Sequence, residues 1–251
     1  MERNRHRKEP APLSNAAVSL MHDHTRQLMT TLVDFKEMMM MYTCAMKEVQ
    51  TKFEILNTEF KIRHQHNPIN SITTRLKRTS SIAEKLRRMN CDFTAESMET
   101  HINDIAGVRV ICPYMDDIYT LADAFLGQDD VTLVARKDYI QHPKPNGYRS
   151  LHLVVRVPVF FAGGKRDMKV EVQIRTIAMD FWASLEHRMK YKQDIPCQQE
   201  VVAELKDCAD EIHRMDLRMQ DIRQRIEAAA DNPTDDDVLF DKVSKLDVVI
   251  N

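Results

Sequence analysis

From Leu28 to Phe60 the apolar residues return at alternating steps of four and three: Leu28, Leu32, Phe35, Met39, Tyr42, Met46, Val49, Phe53, Leu56 and Phe60. An α-helix turns every 3.6 residues or so, so this spacing lines them along one stripe. A stripe of that length demands a long helix, or two in succession, with an apolar surface to lie on. Pro68 closes the segment, because its ring removes a donor and disfavours helix in the residue before it. A second stripe, Val201, Leu205, Cys208, Ile212, Met215, Met219, Ile222 and Ile226, predicts a helix over 198–229. The two helical segments either pack within one subunit or also build an oligomer.

Between them the period changes. Residues 107–112, 131–136, 148–157 and 168–175 are β-branched runs bounded by turn residues, which predicts four strands. Ile118, Leu121, Ala122 and Phe125 keep helical spacing between the first two, a β-α-β passage. Phe161-Ala-Gly-Gly-Lys165 joins the last two as a hairpin. A short helix is expected over 81–89 with Ser80 as its N-cap, and another after Thr176 with Ala178, Phe181, Trp182, Leu185 and Met189 on its apolar side.

Composition narrows the classes. A chain of 251 residues with 43% hydrophobic residues builds one compact domain with helical attachments, and only 5 Gly favours helix over loop. The organisation expected is a flexible basic arm over 1–15, a single domain over 16–229, and a loose acidic tail over 230–251. Within the domain, N-terminal helices cover 16–66, a catalytic core 67–191 and the C-terminal helix 197–229. A net charge of −2 excludes bulk attraction to nucleic acid, although Arg3, Arg5, Arg7 and Lys8 form a local cluster. Cys44, Cys91, Cys112, Cys197 and Cys208 are odd in number and never paired as C-x-x-C, so neither a disulfide framework nor a zinc site is expected. No apolar run approaches the ~20 residues of a membrane span. A soluble, cytoplasmic protein follows.

The chemistry concentrates on one side of the strands. Period-two alternation sends Val170, Val172 and Ile174 to one face and Glu171, Gln173 and Arg175 to the other. By the same rule Tyr148, Ser150 and His152 share a face of the neighbouring strand. An ordinary amphipathic sheet with one solvated side would look the same. Asp104 and Arg109 add to the pattern, since Arg109 interrupts an otherwise apolar strand. An Asp and a Glu at the ends of adjacent strands suit magnesium, which prefers oxygen ligands and phosphates. Arg75, Lys77, Arg109, Lys137, Lys144 and Arg149 could offset phosphate charge around such a centre. Two prolines and a glycine fix the segment 137–150, which reads as a ligand-binding loop. His22-Asp23-His24 is discounted as a metal site, because residues two apart on a helix diverge. No phosphate-binding glycine loop, dinucleotide fingerprint or nucleophile elbow occurs.

Five strings in order carry a resemblance: Asp104-Ile-Ala-Gly-Val-Arg-Val110, Lys137-Asp-Tyr-Ile140, Pro145-Asn-Gly-Tyr-Arg-Ser-Leu-His152, Glu171-Val-Gln-Ile-Arg-Thr176 and Phe181-Trp-Ala-Ser-Leu-Glu-His187. Together with Arg75-Leu-Lys77 and Ser81-Ile-Ala-Glu-Lys85, they resemble the synthetase domain of the RelA/SpoT homologues, in its small single-domain form. The resemblance implies an α+β fold with a mixed, nucleotidyltransferase-like sheet flanked by long N- and C-terminal helices. It implies transfer of the β,γ-diphosphate of ATP to the 3′-hydroxyl of GDP or GTP, with release of AMP, in the stringent response, and no hydrolase activity. Asp104 and Glu171 would hold Mg2+, and Glu171 would also draw the acceptor proton. Arg75 and Arg109 would sandwich the adenine, with Lys77 near the phosphates of ATP. Tyr148 would stack on guanine, with Lys137, Lys144, Asn146, Arg149, His152, Gln173 and His187 around the acceptor nucleotide. A homotetramer through the terminal helices is implied, and an allosteric alarmone site around 53–60 and Asp180 is possible.

Two other classes fit less of the pattern. A nucleotidyltransferase would share the fold but release pyrophosphate. An RNA- or nucleotide-binding oligomer would use the basic segment 75–88 and the arm, but it has no need of Asp104 and Glu171 facing phosphates.

Overall fold

The computed structural model describes residues 15–63, 67–190 and 198–230. Residues 1–14 of the expected arm, 231–251 of the expected acidic tail and Cys197 lie outside these residues, as do the side chains of Leu28 and of His22-Asp23-His24, while Asn15 and Ala230 belong to helices.

The first stripe forms one continuous helix, α1 (Asn15–Arg63). Then follow β1 (Ser71–Leu76), α2 (Thr79–Arg88), α3 (Ala95–His101), β2 (Ala106–Cys112), α4 (Met115–Leu126), β3 (Thr132–Asp138), β4 (Leu151–Phe161), β5 (Gly164–Thr176), α5 (Ile177–Lys190) and α6 (Gln198–Ala230). The strands make a mixed sheet in the order β1-β2-β5-β4-β3, in which only β2 and β5 pair parallel. The α+β class expected from the sequence is what the chain adopts. β4 and β5 form the expected hairpin, closing at Phe161 opposite Gly164.

One face of the sheet is the core. Val108 and Val110, Val170, Val172 and Ile174, and Leu151, Leu153 and Val155 are all buried there. Tyr42, Ala45, Val49 and Phe53 of α1 and Ile118, Leu121 and Phe125 of α4 are buried with them in the same core, and Phe53 stacks on Phe125 with centroids 4.4 Å apart. Each buried Val, Leu, Ile or Phe side chain contributes about 1.5–3 kcal/mol by leaving water. The covered face strips apolar groups from one side of the sheet, so the polar side chains are presented together on the other.

Several expectations need correction. The sequence reading has four strands, but Ser71–Leu76 is a fifth, antiparallel to β2 along the sheet's edge. Its mostly exposed, Thr-rich pattern hid it. α2 begins at Thr79 behind Arg78, so Ser80 is inside the helix rather than its cap. α3 was not expected; its cap is Thr94, whose Oγ1 accepts from the Ser97 amide at 3.1 Å. β4 starts at Leu151, which leaves Tyr148 in the preceding loop.

The helix stripes are also covered differently. Leu32 is 62% exposed. At about 1.5 Å per residue the 49 residues of α1 span about 74 Å, whereas the 13 residues of β5 span about 43 Å. The helix therefore outruns the sheet. On α5 the expected apolar side is largely in solvent: Phe181 is 59% exposed, and Leu185 and Met189 are exposed too, while Met179, Trp182 and Glu186 are buried. On α6, Met215, Met219 and Ile226 point outward, and Ala209 and Asp216 are buried. α6 instead reaches α4, where Gln220 Oε1 accepts from the amides of Met115 and Asp116 at 3.1 Å, satisfying the open N-terminus of that helix.

Candidate active site

The register of the sheet assembles the polar face. Arg75 of β1 stands across from Gly107 of β2, which is paired with Glu171 of β5. One step on, Thr73, Arg109, Gln173 and His152 line up across four strands. A cleft of ≈ 480 Å³ opens here, lined by Arg75, Lys77, Asp104, Arg109, Glu171 and Gln173 among others. Six of the residues singled out in the sequence are thus brought together. Gly107 also lines it. A Cβ there would meet the Arg75 carbonyl at 3.5 Å, an ordinary contact, so the backbone does not require glycine. What its absent side chain leaves is room beside Glu171.

The two carboxylates are both held in their charged form. Burial works against the charge of Asp104, but hydrogen bonds from Lys77 at 2.7 Å and Lys85 at 2.8 Å outweigh it and keep the carboxyl below its usual range. Burial likewise raises Glu171, yet the His152 ring and the Gln173 amide lower it further than burial lifts it. Asp104 pushes against Glu171 as well, so the two charges share one field. Two ionised oxygen donors in a cation-rimmed cleft fit the donor set that Mg2+ takes. Lys85 was named in the sequence only as part of a motif; its reach to Asp104 depends on how α2 packs.

A chain of polar contacts runs away from Glu171. His152 faces it with Nδ1 3.5 Å from Oε1, and the other ring nitrogen, Nε2, lies 2.8 Å from the Tyr148 hydroxyl. Gln173 donates to Glu171 Oε2 at 2.9 Å, and Arg175 donates to Gln173 Oε1 at 2.7 Å. Arg175 and Arg109 both approach Asp180 Oδ1 at 3.5 Å. Arg175 is buried and its guanidinium lies 5.7 Å from the Tyr148 ring centroid. Sequence alternation put Arg175 on this face without a task; Asp180, one helical turn into α5, carries no sequence signal for its pairing. Of the residues expected around an allosteric site, Phe53 is buried, while Asp180 is partly exposed and pairs with both arginines.

The loop residues are placed less uniformly. Lys144 sits over the rings of Tyr139 and Tyr148, at 4.5 and 4.7 Å from their centroids. Asn146 donates to the buried Glu186 at 2.9 Å and its side-chain oxygen accepts from the Tyr148 amide at 3.3 Å. Lys137 is exposed on β3 opposite His152. His187 is exposed on α5 and has no contact with the cleft among the described residues. Arg149, expected near phosphates, turns to α6 and pairs with Asp210 at 2.8 Å.

Residues 74–196 match the region found in RelA / SpoT proteins. The GTP pyrophosphokinase YwaC of Bacillus subtilis (strain 168) is 43% identical over 204 residues, which are 81% of this chain and 97% of that protein. The crystal structure of small alarmone synthetase 2 from Bacillus subtilis superposes with a TM-score of 0.69 at 44% identity, covering 76% of this chain and 99% of that one. Small alarmone synthetase 1 from the same organism, bound to its product pppGpp, superposes at 0.67 with 36% identity, covering 74% and 94%. The chain therefore belongs to the RelA/SpoT family of GTP pyrophosphokinases, among its small alarmone synthetases.

Proposed function

We propose that this chain is a (p)ppGpp synthetase that moves the β,γ-diphosphate of ATP to the 3′-hydroxyl of GDP or GTP and releases AMP. The observation that carries this reading is the pair of ionised carboxylates, Asp104 and Glu171, in a cleft rimmed by Arg75, Lys77 and Arg109. In the proposal Asp104 and Glu171 hold Mg2+, which when bound neutralises charge on the transferring phosphates. Arg75 and Arg109 flank the adenine, and Lys77, Lys137 and Lys144 face phosphates. Tyr148 stacks on the guanine, while Asn146 shapes the loop that carries it.

The 3′-oxygen attacks the β-phosphorus in line with the departing AMP oxygen, and Glu171 accepts the hydroxyl proton. A carboxylate below its usual range is a weak base, so the proton leaves late, as the oxygen commits to phosphorus. His152 and Gln173, both against Glu171, fix the direction of its lone pairs. Most of the acceleration then comes from alignment and charge stabilisation.

The reading extends to a cytoplasmic homotetramer that synthesises without hydrolysing. No described helix is long and apolar enough to cross a membrane. Ile177, Phe181, Leu185 and Met189 recur every fourth residue on the exposed side of α5, and Met215, Met219 and Ile226, at steps of four and seven, are exposed on α6. Apolar stripes of this kind call for a partner surface. Sedimentation at micromolar concentration tests the assembly; a monomer rules it out.

The reaction itself is tested with γ-labelled ATP and GDP, GTP or GMP as acceptor. Label in a guanosine nucleotide together with AMP is the expected outcome. Release of pyrophosphate would identify nucleotidyl transfer instead. Incubation with the purified product should leave it intact.

A further inference from the structure

We infer that α6 positions the acceptor loop through Arg149 and Asp210, so that the C-terminal helix sets the affinity for the guanosine nucleotide. This rests on the reading above that the loop around Tyr148 receives that nucleotide. Arg149 lies in the loop, one residue after Tyr148, yet its side chain is only 10% exposed and turns away from the cleft. Its guanidinium donates to the Gly147 carbonyl at 3.1 Å, the Ala209 carbonyl at 3.3 Å and Asp210 Oδ1 at 2.8 Å. One acceptor belongs to the loop and two to α6. The arginine is therefore spent on joining the two, and it holds Tyr148 between Gly147 and itself.

The backbone carries the same message. Gly147 has φ of +87°, where side chains are disfavoured, and a Cβ there would sit 2.6 Å from the Ala209 Cβ and 3.2 Å from the Lys206 Cα. The loop thus lies directly on one turn of α6, with Lys206, Ala209 and Asp210 forming its bed. The helix is itself anchored on either side of that turn: the Trp182 indole donates to the Leu205 carbonyl at 2.8 Å, and the Thr176 hydroxyl at the end of β5 donates to the buried Asp216. Glu171 lies on β5, so helix, loop and carboxylate form one mechanical unit. A shift of the helix would move the stacking ring relative to Glu171.

The positioning role predicts a split in the kinetic constants. Asp210→Ala should raise KM for GDP about tenfold, the size expected when a charge-assisted hydrogen bond is lost. KM for ATP should stay within about twofold and kcat at saturating GDP within about threefold, because the groups around ATP and the reacting atoms are untouched. Asp210→Asn keeps an oxygen for Arg149 and should recover most of the GDP affinity. Arg149→Lys, which keeps the charge but not the fork, should fall between. Trp182 is the single tryptophan of the chain, so its emission reports whether α6 is still seated in each variant. Equal changes in both KM values, or an unchanged GDP KM in Asp210→Ala and Arg149→Lys while Tyr148→Ala raises it, would overturn the role of α6 and leave the loop assignment standing. An unchanged GDP KM in Tyr148→Ala as well would overturn both.

Discussion

On the β1–β2 side of the cleft Arg75 and Arg109 project from paired strands, and Lys77 follows directly after β1, its amide bonded to the Ile105 carbonyl at 2.8 Å. On the β4 side Lys144, Asn146 and Tyr148 ride on a loop whose polar groups are engaged with Tyr139, Glu186 and His152. The strand side is shaped by ladder hydrogen bonds that any sheet provides. The loop side takes its shape from α5 and α6, elements far away in the chain. Electrostatics differ in the same sense: the strand side pairs cations with Asp104, whereas the loop side stacks cations on rings. Under the proposed function, such a site would hold one substrate on a preformed wall and the other on a part whose geometry can be altered from outside the sheet.

The largest expected effect falls where the two sides meet. Glu171→Gln should lower kcat by about a thousandfold or more, in the range for loss of a positioned base, with melting unchanged within a few degrees. Retained turnover would remove Glu171 from the centre of the comparison. Gly107→Val tests the strand side by filling it. Because a Cβ there meets only ordinary contacts, Gly107→Ala should fold and melt like the parent, and Gly107→Val, provided its melting point matches that of Gly107→Ala, should lower kcat/KM about a hundredfold. An active variant would show that the room beside Glu171 is not used.

On the loop side, Tyr148→Ala should raise KM for GDP or GTP about ten- to a hundredfold, as expected for about 1–3 kcal/mol of base stacking. The ATP constant should barely move. Equal losses for both nucleotides would erase the distinction between the two sides.

Acid should act on the carboxylates common to both. Asp104 and Glu171 have folded pKa values below their unfolded ones, so they contribute stability that is present above about pH 4, near the unfolded values. That contribution is lost as pH falls through the lowered folded values. Urea midpoints measured from pH 7 to pH 3 should therefore stay level to about pH 4.5 and then drop, and the drop should shrink in Asp104→Asn.

The smallest effect concerns the anchor of α6. Burial raises the Asp216 pKa more than the Thr176 hydrogen bond lowers it, so its ionised form is less favourable folded than unfolded. Asp216→Asn removes that charge and keeps an acceptor for Thr176. Stability at pH 7 should rise or hold, by less than about 1 kcal/mol in thermal unfolding. A marked loss would mean that the charge itself secures the helix.

Much of the strand side was legible in the sequence, because its signals are local. Alternation along 168–175 put Glu171, Gln173 and Arg175 on one face, and the register confirms that they share it. β1 escaped notice because an exposed edge strand lacks a clean apolar alternation; its pairing with β2 is a property of the partner. The loop side was harder. Arg149 sits in a motif full of ligand-binding residues, and nothing within the motif tells that its partner stands sixty-one residues later on α6.

By itself the sequence determined which residues lie on a common stripe or face, since a helix turn and a strand pleat depend only on neighbours in the chain. It also determined the family, through strings of residues in order. Only the tertiary structure decided which stripe is covered, so that Glu186 is buried while Phe181 faces water. It alone set Arg149 against Asp210 of α6, because the direction of a long side chain is set by the charge and surface that packing brings to it.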